Sequence, residues 1–569
     1  MSDDDTGDSR IGRRWYLRSA AATGAAALGT GAVSAGEDEE KDHKKKKGVT
    51  VIDHCGYVID EPGHYVLESD LEWNNDNGNN NGDCGCNGHH HDHTHACIEI
   101  RASDVTLDGQ GHTISCYGPL NGPRSPSAID LDSIDDSIDL DAVTDGSLDL
   151  DSLDDSIDLD AVTDGSLGMN GERPRLWEVG RVGVLVRPHH HGKHHKKSGK
   201  HGKKDGKKGD SRDRLSNVTV KNLNVERCTT GIAFVHTKGG TIYDNRTDET
   251  LVGYYLYRSD KTTLKSNVAV YSGFGFVLHK SSRNTLKWNN PADNWGPGFL
   301  FVNADGNALV KNRSWRNAFG AILWRSDDNT IERNEMNDND FVGLALVLSN
   351  GNEISRLEAQ DNDEDGVYLL GSKKNTLSYV LATDNGDDGV QLTLSYANAL
   401  KKIRADDNDD DGIDLDASKK NTIAKVEATG NGADGIDLDY SYKNTIAGNI
   451  ANDNGDDGID LDNSHKNKIK NNTANDNDDD GIDLDESDEN TVKGNTTNEN
   501  GDNGIELDES DGNVLSKNSS DDNGDYGYDV EDSNDTQGSG NSAADNGSGP
   551  IEISGGSGNE IEVNGQTYS

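Results

Sequence analysis

Cations are scarce in this sequence: 55 lysines and arginines stand against 104 aspartates and glutamates, a formal net charge of −49 over 569 residues. That imbalance argues against nucleic acid as a general partner, because phosphates would be repelled. Counter-cations or a salt-rich medium are its natural complement. Apolar residues are scarce too, at 31%, with aromatics at 5%; composition alone would read as disorder. Long apolar runs are missing. Apart from a weakly hydrophobic Ala/Gly-rich stretch at residues 19–36, no run of about 18–20 apolar residues occurs, so no segment is expected to span a membrane. The three- and four-residue apolar spacing of a helical solenoid is also absent, since the apolar segments are too short to hold it.

What is present is periodicity, which composition cannot show. Gly231, Gly253, Gly275, Gly298, Gly320, Gly343 and Gly366 recur at steps of 22 or 23; from Gly366 to Gly527 the step is always 23, and Pro550 takes the next place. Positions +1 and +3 after each Gly are apolar, as in Ile413/Leu415 and Ile436/Leu438. A period of two marks a short strand with one buried face. An Asn column from Asn284 to Asn513 precedes a second short apolar pattern, as in Thr422-Ile423, and another runs from Asn339 to Asn546 in steps of 23. Asn-Gly and Asp-Gly pairs supply the turns. The architecture expected is all-β: a single-stranded right-handed parallel β-helix, a solenoid of 22–23-residue coils with low-complexity loop insertions. Stacking would set each Asn above the last, where amides bond along the ladder. Sixteen coil positions at about 4.8 Å each give a body roughly 75 Å long.

The repeat Asn-Thr-Ile-x-x-Asn … Asn-Gly-x-Asp-Gly-Ile-x-Leu resembles that of NosD-like and carbohydrate-active parallel β-helix proteins. The opening, Cys55 … Glu61-Pro62-Gly63-His64-Tyr65-Val66-Leu67 … Cys97-Ile98-Glu99-Ile100 … Asp104-Val105-Thr106-Leu107-Asp108-Gly109, resembles secreted archaeal members, and the Asp-heavy surface is similar to those of salt-loving archaea. The resemblance covers most of residues 49–569. It implies the fold and says little of function, because the same coil carries lyases, hydrolases, epimerases and non-enzymes.

Arg13-Arg14-Trp15-Tyr16-Leu17-Arg18, the Ala/Gly-rich stretch and Val33-Ser34-Ala35 resemble a twin-arginine export signal with its cleavage site. The organisation expected is a signal over 1–35, a charged linker over 36–48, and an N-terminal cap with first coils over 49–126. An acidic duplicated insertion (127–168), an early coil (169–187) and a Lys/His-rich insertion (188–214) follow. The β-helix proper occupies 215–569, with aromatic coils at 231–370 and acidic coils at 389–569. Residues 132–148 recur almost unchanged at 151–167, and residues 188–214 hold eight Lys and six His. Both read as surface loops, or as oppositely charged loops that pair across the strand between them.

Cys55 and Cys97 bracket the opening segment, and an exported protein can keep a disulfide there. Between them Cys84, Cys86, His89, His90, His91, His93 and His95 offer thiolates and imidazoles suited to copper or zinc; the alternative is a Gly/His-rich loop that binds metal only incidentally. The NosD resemblance points toward copper. Outward positions of the later Gly-led strands form a column of carboxylates: Asp414, Asp416, Asp437, Asp439, Asp460, Asp462, Asp483, Asp485, Glu506 and Asp508. These suit calcium or, as a solvated halophilic surface, diffuse counterions. In the earlier coils the same outward positions are apolar or aromatic. Tyr255, Tyr257, Arg258, His279, Trp324 and Arg325 would form a sugar-binding platform there, unless a loop, a terminal segment or a second subunit packs over them.

No catalytic residues are identified. The paired Gly-His-Gly and Arg-Ile-Lys of polygalacturonases, the Asp-Pro-His-Glu of alginate epimerases and the Arg-rich signature of pectate lyases are all missing. The reading is a secreted surface protein binding a polysaccharide or envelope component, cations, or both; a β-helix lyase, hydrolase or epimerase and a copper-handling protein are the alternatives. Because the acidic coils have few lysine partners, dilution from molar to millimolar salt should loosen residues 412–569 first. Far-UV circular dichroism that does not change over that range would contradict the expectation.

Overall fold

In a coil such as residues 412–434 each short apolar pattern becomes a strand. Gly412 leads into Ile413–Asp416, Asn421 into Thr422–Ala424, and a third strand, Glu427–Thr429, precedes the next turn. The computed structural model describes residues 48–73, 96–116, 180–188 and 214–569, and among these every regular element is a β-strand. The export signal, the Cys/His-rich loop with Cys84, Cys86, His89, His90, His91, His93 and His95, and the interiors of both insertions lie outside the described residues. The third strand was not foreseen. Its inward residue is only Ala428, between Glu427 and Thr429, too small to register as an apolar pattern.

Equivalent strands of successive coils pair in parallel, residue upon counterpart: Ile413 on Ile436 and Leu415 on Leu438, Ile423 on Ile446, Ala428 on Ala451. Three stacked sheets result. A single apolar column runs through their interior from Ile52 to Val563, and in the early coils Tyr254, Phe276 and Phe299 stack at centroid distances of 4.5 and 5.1 Å. The glycine column follows from how closely the coils approach. A Cβ on Gly412 would sit 2.6 Å from the carbonyl oxygen of Gly435 and 2.7 Å from Cβ of Ala428.

Amide ladders fill the corners. The backbone N–H and the Nδ2 of Asn352 both donate to Oδ1 of Asn375, at 2.8 and 3.1 Å, and Nδ2 of Asn375 donates to the Ser349 carbonyl at 2.9 Å. The column through Asn385 and Asn408 repeats the arrangement. A third ladder, through Asn289, Asn312 and Asn334, and a serine ladder through Ser372, Ser395 and Ser418 use the same logic. These side chains are buried, and each bond satisfies groups that would otherwise cost about 1–3 kcal/mol apiece.

Both long insertions leave from one turn of the solenoid. Val182–Val186 pairs with Ala96–Ile100 on one side and Thr230–Val235 on the other, while Thr113–Ser115 pairs directly with Asn224–Glu226. Two disulfides clamp this region. Cys55 joins Cys97 across the first loop, and Cys116 joins Cys228 across both insertions, a separation of 112 residues. Cross-linking so long a loop removes denatured-state entropy worth roughly 4–5 kcal/mol.

Two outcomes follow. Asn375→Ala takes the acceptor from two Asn352 donors and should cost about 2–4 kcal/mol in denaturant unfolding. Replacing Cys116 and Cys228 with Ser should cost roughly 4 kcal/mol. Hydrogen exchange should then rise in residues 96–260 while residues 389–540 stay protected; uniform loss along the chain would contradict the assignment.

Candidate functional site

A strand with period two must put something outward opposite every core residue. From Gly412 onward that something is a carboxylate: Asp414, Asp437, Asp460 and Asp483 stack at position +2, and Asp416, Asp439, Asp462, Asp485 and Asp508 at +4, with Glu506 continuing the first column. Beside them runs the column of the aspartate just before each glycine, a position that Asp-Gly turns alone would explain. Asp388, Asp411, Asp434, Asp457 and Asp480 are linked head to tail. The N–H of Asp434 donates to Oδ1 of Asp411 at 2.7 Å, that of Asp457 to Asp434 and that of Asp480 to Asp457 at 2.6 Å each. Amides bound the system. Gln391 donates to Asp414 at 3.0 Å before it, and Asn503 donates to Glu506 at 2.7 Å after it.

The two columns bring oxygens together in threes. One carboxylate oxygen from each of Asp434, Asp437 and Asp460 lies within 4.8 Å of the other two, as in Asp457/Asp460/Asp483, Asp456/Asp457/Asp479, Asp479/Asp480/Asp502 and Asp387/Asp388/Asp410. Asp457, Asp460 and Asp479 each belong to two groups. As residues Asp437 and Asp483 are partly exposed, but the Oδ1 atom of each is sealed from solvent and meets no hydrogen-bond donor. Among the described residues, Arg316 pairs with Asp293, Arg404 with Asp406 and Lys466 with Glu489, all outside these groups.

This crowding shifts the carboxyls strongly. Burial first, then neighbouring aspartates, push Asp411 up to about 8 and Asp457 to about 10; burial dominates at Asp434, at about 7. Burial and then Glu506 raise Asp483 to about 7 and Asp480 to about 11. Asp414, Asp437 and Asp460 are held well above the usual carboxylate range for the same two reasons. Uncompensated, the site must take up protons. A cation would let it stay ionised, and all-oxygen donor sets of flexible geometry suit calcium.

In the aromatic coils the sequence left two readings open, an open sugar platform or a covered face. Tyr255 and Trp324, at 3% and 1% exposure, are buried although they point away from the solenoid interior. With Val235, Val277, Ile322, Val347 and Tyr368 they form a second apolar cluster outside the main core. The Tyr255 hydroxyl meets Nδ1 of His279 at 3.3 Å, and Arg258 lies over the Tyr257 ring at 5.3 Å, while Arg325 is half-buried beside Trp324. Of the six residues expected to form an open sugar platform, Tyr255 and Trp324 are buried, while Tyr257, Arg258, His279 and Arg325 stay partly exposed. A ring covered on its outer face offers no surface to a pyranose.

No helix among the described residues is long and apolar enough to cross a membrane. No curated protein sequence matches the chain. Similar solved structures include the A-module of mannuronan C-5 epimerase AlgE6 of Azotobacter vinelandii, with 12% identity over 75% of this chain and 90% of that one and a TM-score of 0.34. The periplasmic alginate epimerase AlgG shows 14% identity over 61% and 77%, with a TM-score of 0.30. DFA-IIIase of Arthrobacter chlorophenolicus A6 shows 11% over 58% and 80%, with a TM-score of 0.32. Residues 298–450 match the right-handed β-helix region. The match to NosD, described as a periplasmic copper-binding protein, takes in residues 204–356 and 410–565, more than half of the sequence, and the chain belongs to that family.

Proposed function

We propose that this protein is an exported β-helix that binds hard divalent cations, calcium foremost, along the paired aspartate columns of residues 387–508. The observation that carries this reading is the pair of sealed Oδ1 atoms without a donor on Asp437 and Asp483, two residues that each give a carboxylate to a group of three. A buried anionic oxygen without a partner is costly, and a cation is the partner this donor set recruits. Sharing of Asp457 and Asp460 between groups supports occupancy of successive coils as a file. Copper, which the family description names, prefers thiolate, thioether or imidazole. The four described cysteines are all in disulfides, so the carboxylate groups do not fit a soft copper ion, and a copper role would rest on the Cys84–His95 loop outside the described residues. The twin-arginine pattern and the two disulfides support export to an oxidising compartment.

Calorimetry with calcium on chelator-treated protein should show binding. Asp437→Asn and Asp483→Asn together should weaken it at least tenfold without destabilising the metal-free protein, since each removes a repelling charge. Carboxyls with folded values of about 7–8, against an ordinary 3.8, hold protons in the folded state that the unfolded state has released. Metal-free stability should therefore be highest near pH 4 and fall as pH rises through 7–8, and calcium should flatten that fall. No binding heat, together with identical melting in calcium and in chelator, would dispose of the reading.

A further inference from the structure

In this acidic chain one corner of the solenoid is cationic. The turn between the Asn-led sheet and the third sheet carries, in seven successive coils, Trp288, Lys311, Arg333, Arg356, Tyr379, Lys402 and Lys425. They are stacked in register: the N–H of Lys311 donates to the Glu332 carbonyl, that of Arg333 to Ser355 and that of Arg356 to Ser378, at 3.0, 2.9 and 3.0 Å. Earlier in the chain the equivalent places hold Asp244 and Ser266, and later ones Gly448, Asn471 and Gly494, so the stripe has two ends. Its rings are open. Trp288 is 45% exposed and Tyr379 52%, in contrast to the covered aromatics of the Gly-led face. Lysines surround both: Nζ of Lys287 lies 4.1 Å and that of Lys265 5.1 Å from the Trp288 centroid, and Lys402 donates to the Tyr379 hydroxyl at 2.6 Å. Glu332 is shared by Arg333 and Arg356, leaving the group positive. On the third-sheet side stand exposed Glu358 and the Arg313–Glu335 pair, so carboxylates flank the stripe.

We propose that this stripe binds an acidic polysaccharide, a chain of uronate or sulfated sugars laid along the solenoid axis. Four coil steps of about 4.8 Å put Trp288 and Tyr379 roughly 19 Å apart. The two rings offer faces to pyranose units, and Lys311, Arg333 and Arg356 between them take the anionic groups. Guanidinium forks pair two-pronged with carboxylate or sulfate oxygens. A broad polyanion such as duplex nucleic acid would meet the flanking carboxylates and be repelled, whereas a thin chain would not. This surface is separate from the aspartate columns and does not depend on the cation reading.

The backbone supplies a clean test. Lys311, Arg333 and Arg356 have φ of 52°, 54° and 52°, and Trp288 has 55°, values that glycine adopts without penalty. Lys311→Gly, Arg333→Gly and Arg356→Gly combined, and Trp288→Gly alone, should therefore fold as well as the parent, with melting temperature as the control. With chelator present, to remove cation bridging, the full chain should bind polygalacturonate oligomers and dextran sulfate in fluorescence titration and ignore neutral dextran. The triple variant should lose at least tenfold in affinity and Trp288→Gly at least threefold. The proposal is overturned if the parent binds neither anionic polymer, if neutral dextran binds equally, or if the triple variant binds like the parent. An oligothymidylate bound as tightly as polygalacturonate would also overturn it, in favour of a surface for single-stranded nucleic acid.

Discussion

Each residue of this solenoid lies against its own counterpart one coil away, and that fixed offset of 22 or 23 positions governs everything else. Whatever chemistry occupies a position is multiplied into a column. Isoleucine on isoleucine makes a core, since apolar surface buries apolar surface. Asparagine on asparagine makes a ladder, because an amide carries both donor and acceptor and can bond its own kind indefinitely. Aspartate side chains stacked on aspartate cannot satisfy one another: an ionised carboxylate accepts but does not donate, and its neighbours repel it. The fold thus turns a composition biased toward Asp into a concentrated electrostatic demand on one face, and the raised carboxyls of Asp411, Asp457 and Asp480 express that demand.

Much of this was legible in the chain itself. The Gly and Asn columns disclosed two of the three sheets, because Ile413/Leu415 and Ile423 alternate visibly with polar residues. The third sheet hid behind Ala428 and its equivalents, whose buried area is too small to mark a pattern. The outward aspartates at +2 and +4 could be counted from sequence, but their partners before each glycine could not be recognised as part of the site, since Asp-Gly is also what any tight turn contains. Only the register shows that Asp434, Asp437 and Asp460 converge. The link between Cys116 and Cys228 was equally hidden. It joins residues 112 apart in sequence that become neighbours only once both insertions loop out of the same coil.

The Gly-led face changes character along its length without any change in the backbone that carries it. In the early coils its outward residues are apolar and covered; from residue 411 they are carboxylates. The sequence shows the contrast and leaves open whether the early face is covered, because periodicity reports which way a side chain points and not whether something lies over it. Trp324 points away from the solenoid interior and is buried all the same. The open aromatic residues lie instead on corners, where Trp288 and Tyr379 sit among lysines.

Near-identity of the coils has a consequence for how the chain finds its structure. From Gly366 to Gly527 every coil has the same length and almost the same inward residues, so a segment that docks one coil too far would still bury Ile on Ile and pair Asn with Asn. Such slipped stackings differ little in energy from the correct one, and a folding chain needs some feature that tells them apart. The N-terminal coils supply it. Tyr254, Phe276 and Phe299 stack on one another where the later coils carry Ile and Val, and the Cys55–Cys97 and Cys116–Cys228 bonds join particular coils. Assembly that begins there and propagates coil by coil would inherit its register from the irregular end, which thereby acts as the template against which the uniform acidic coils are counted off.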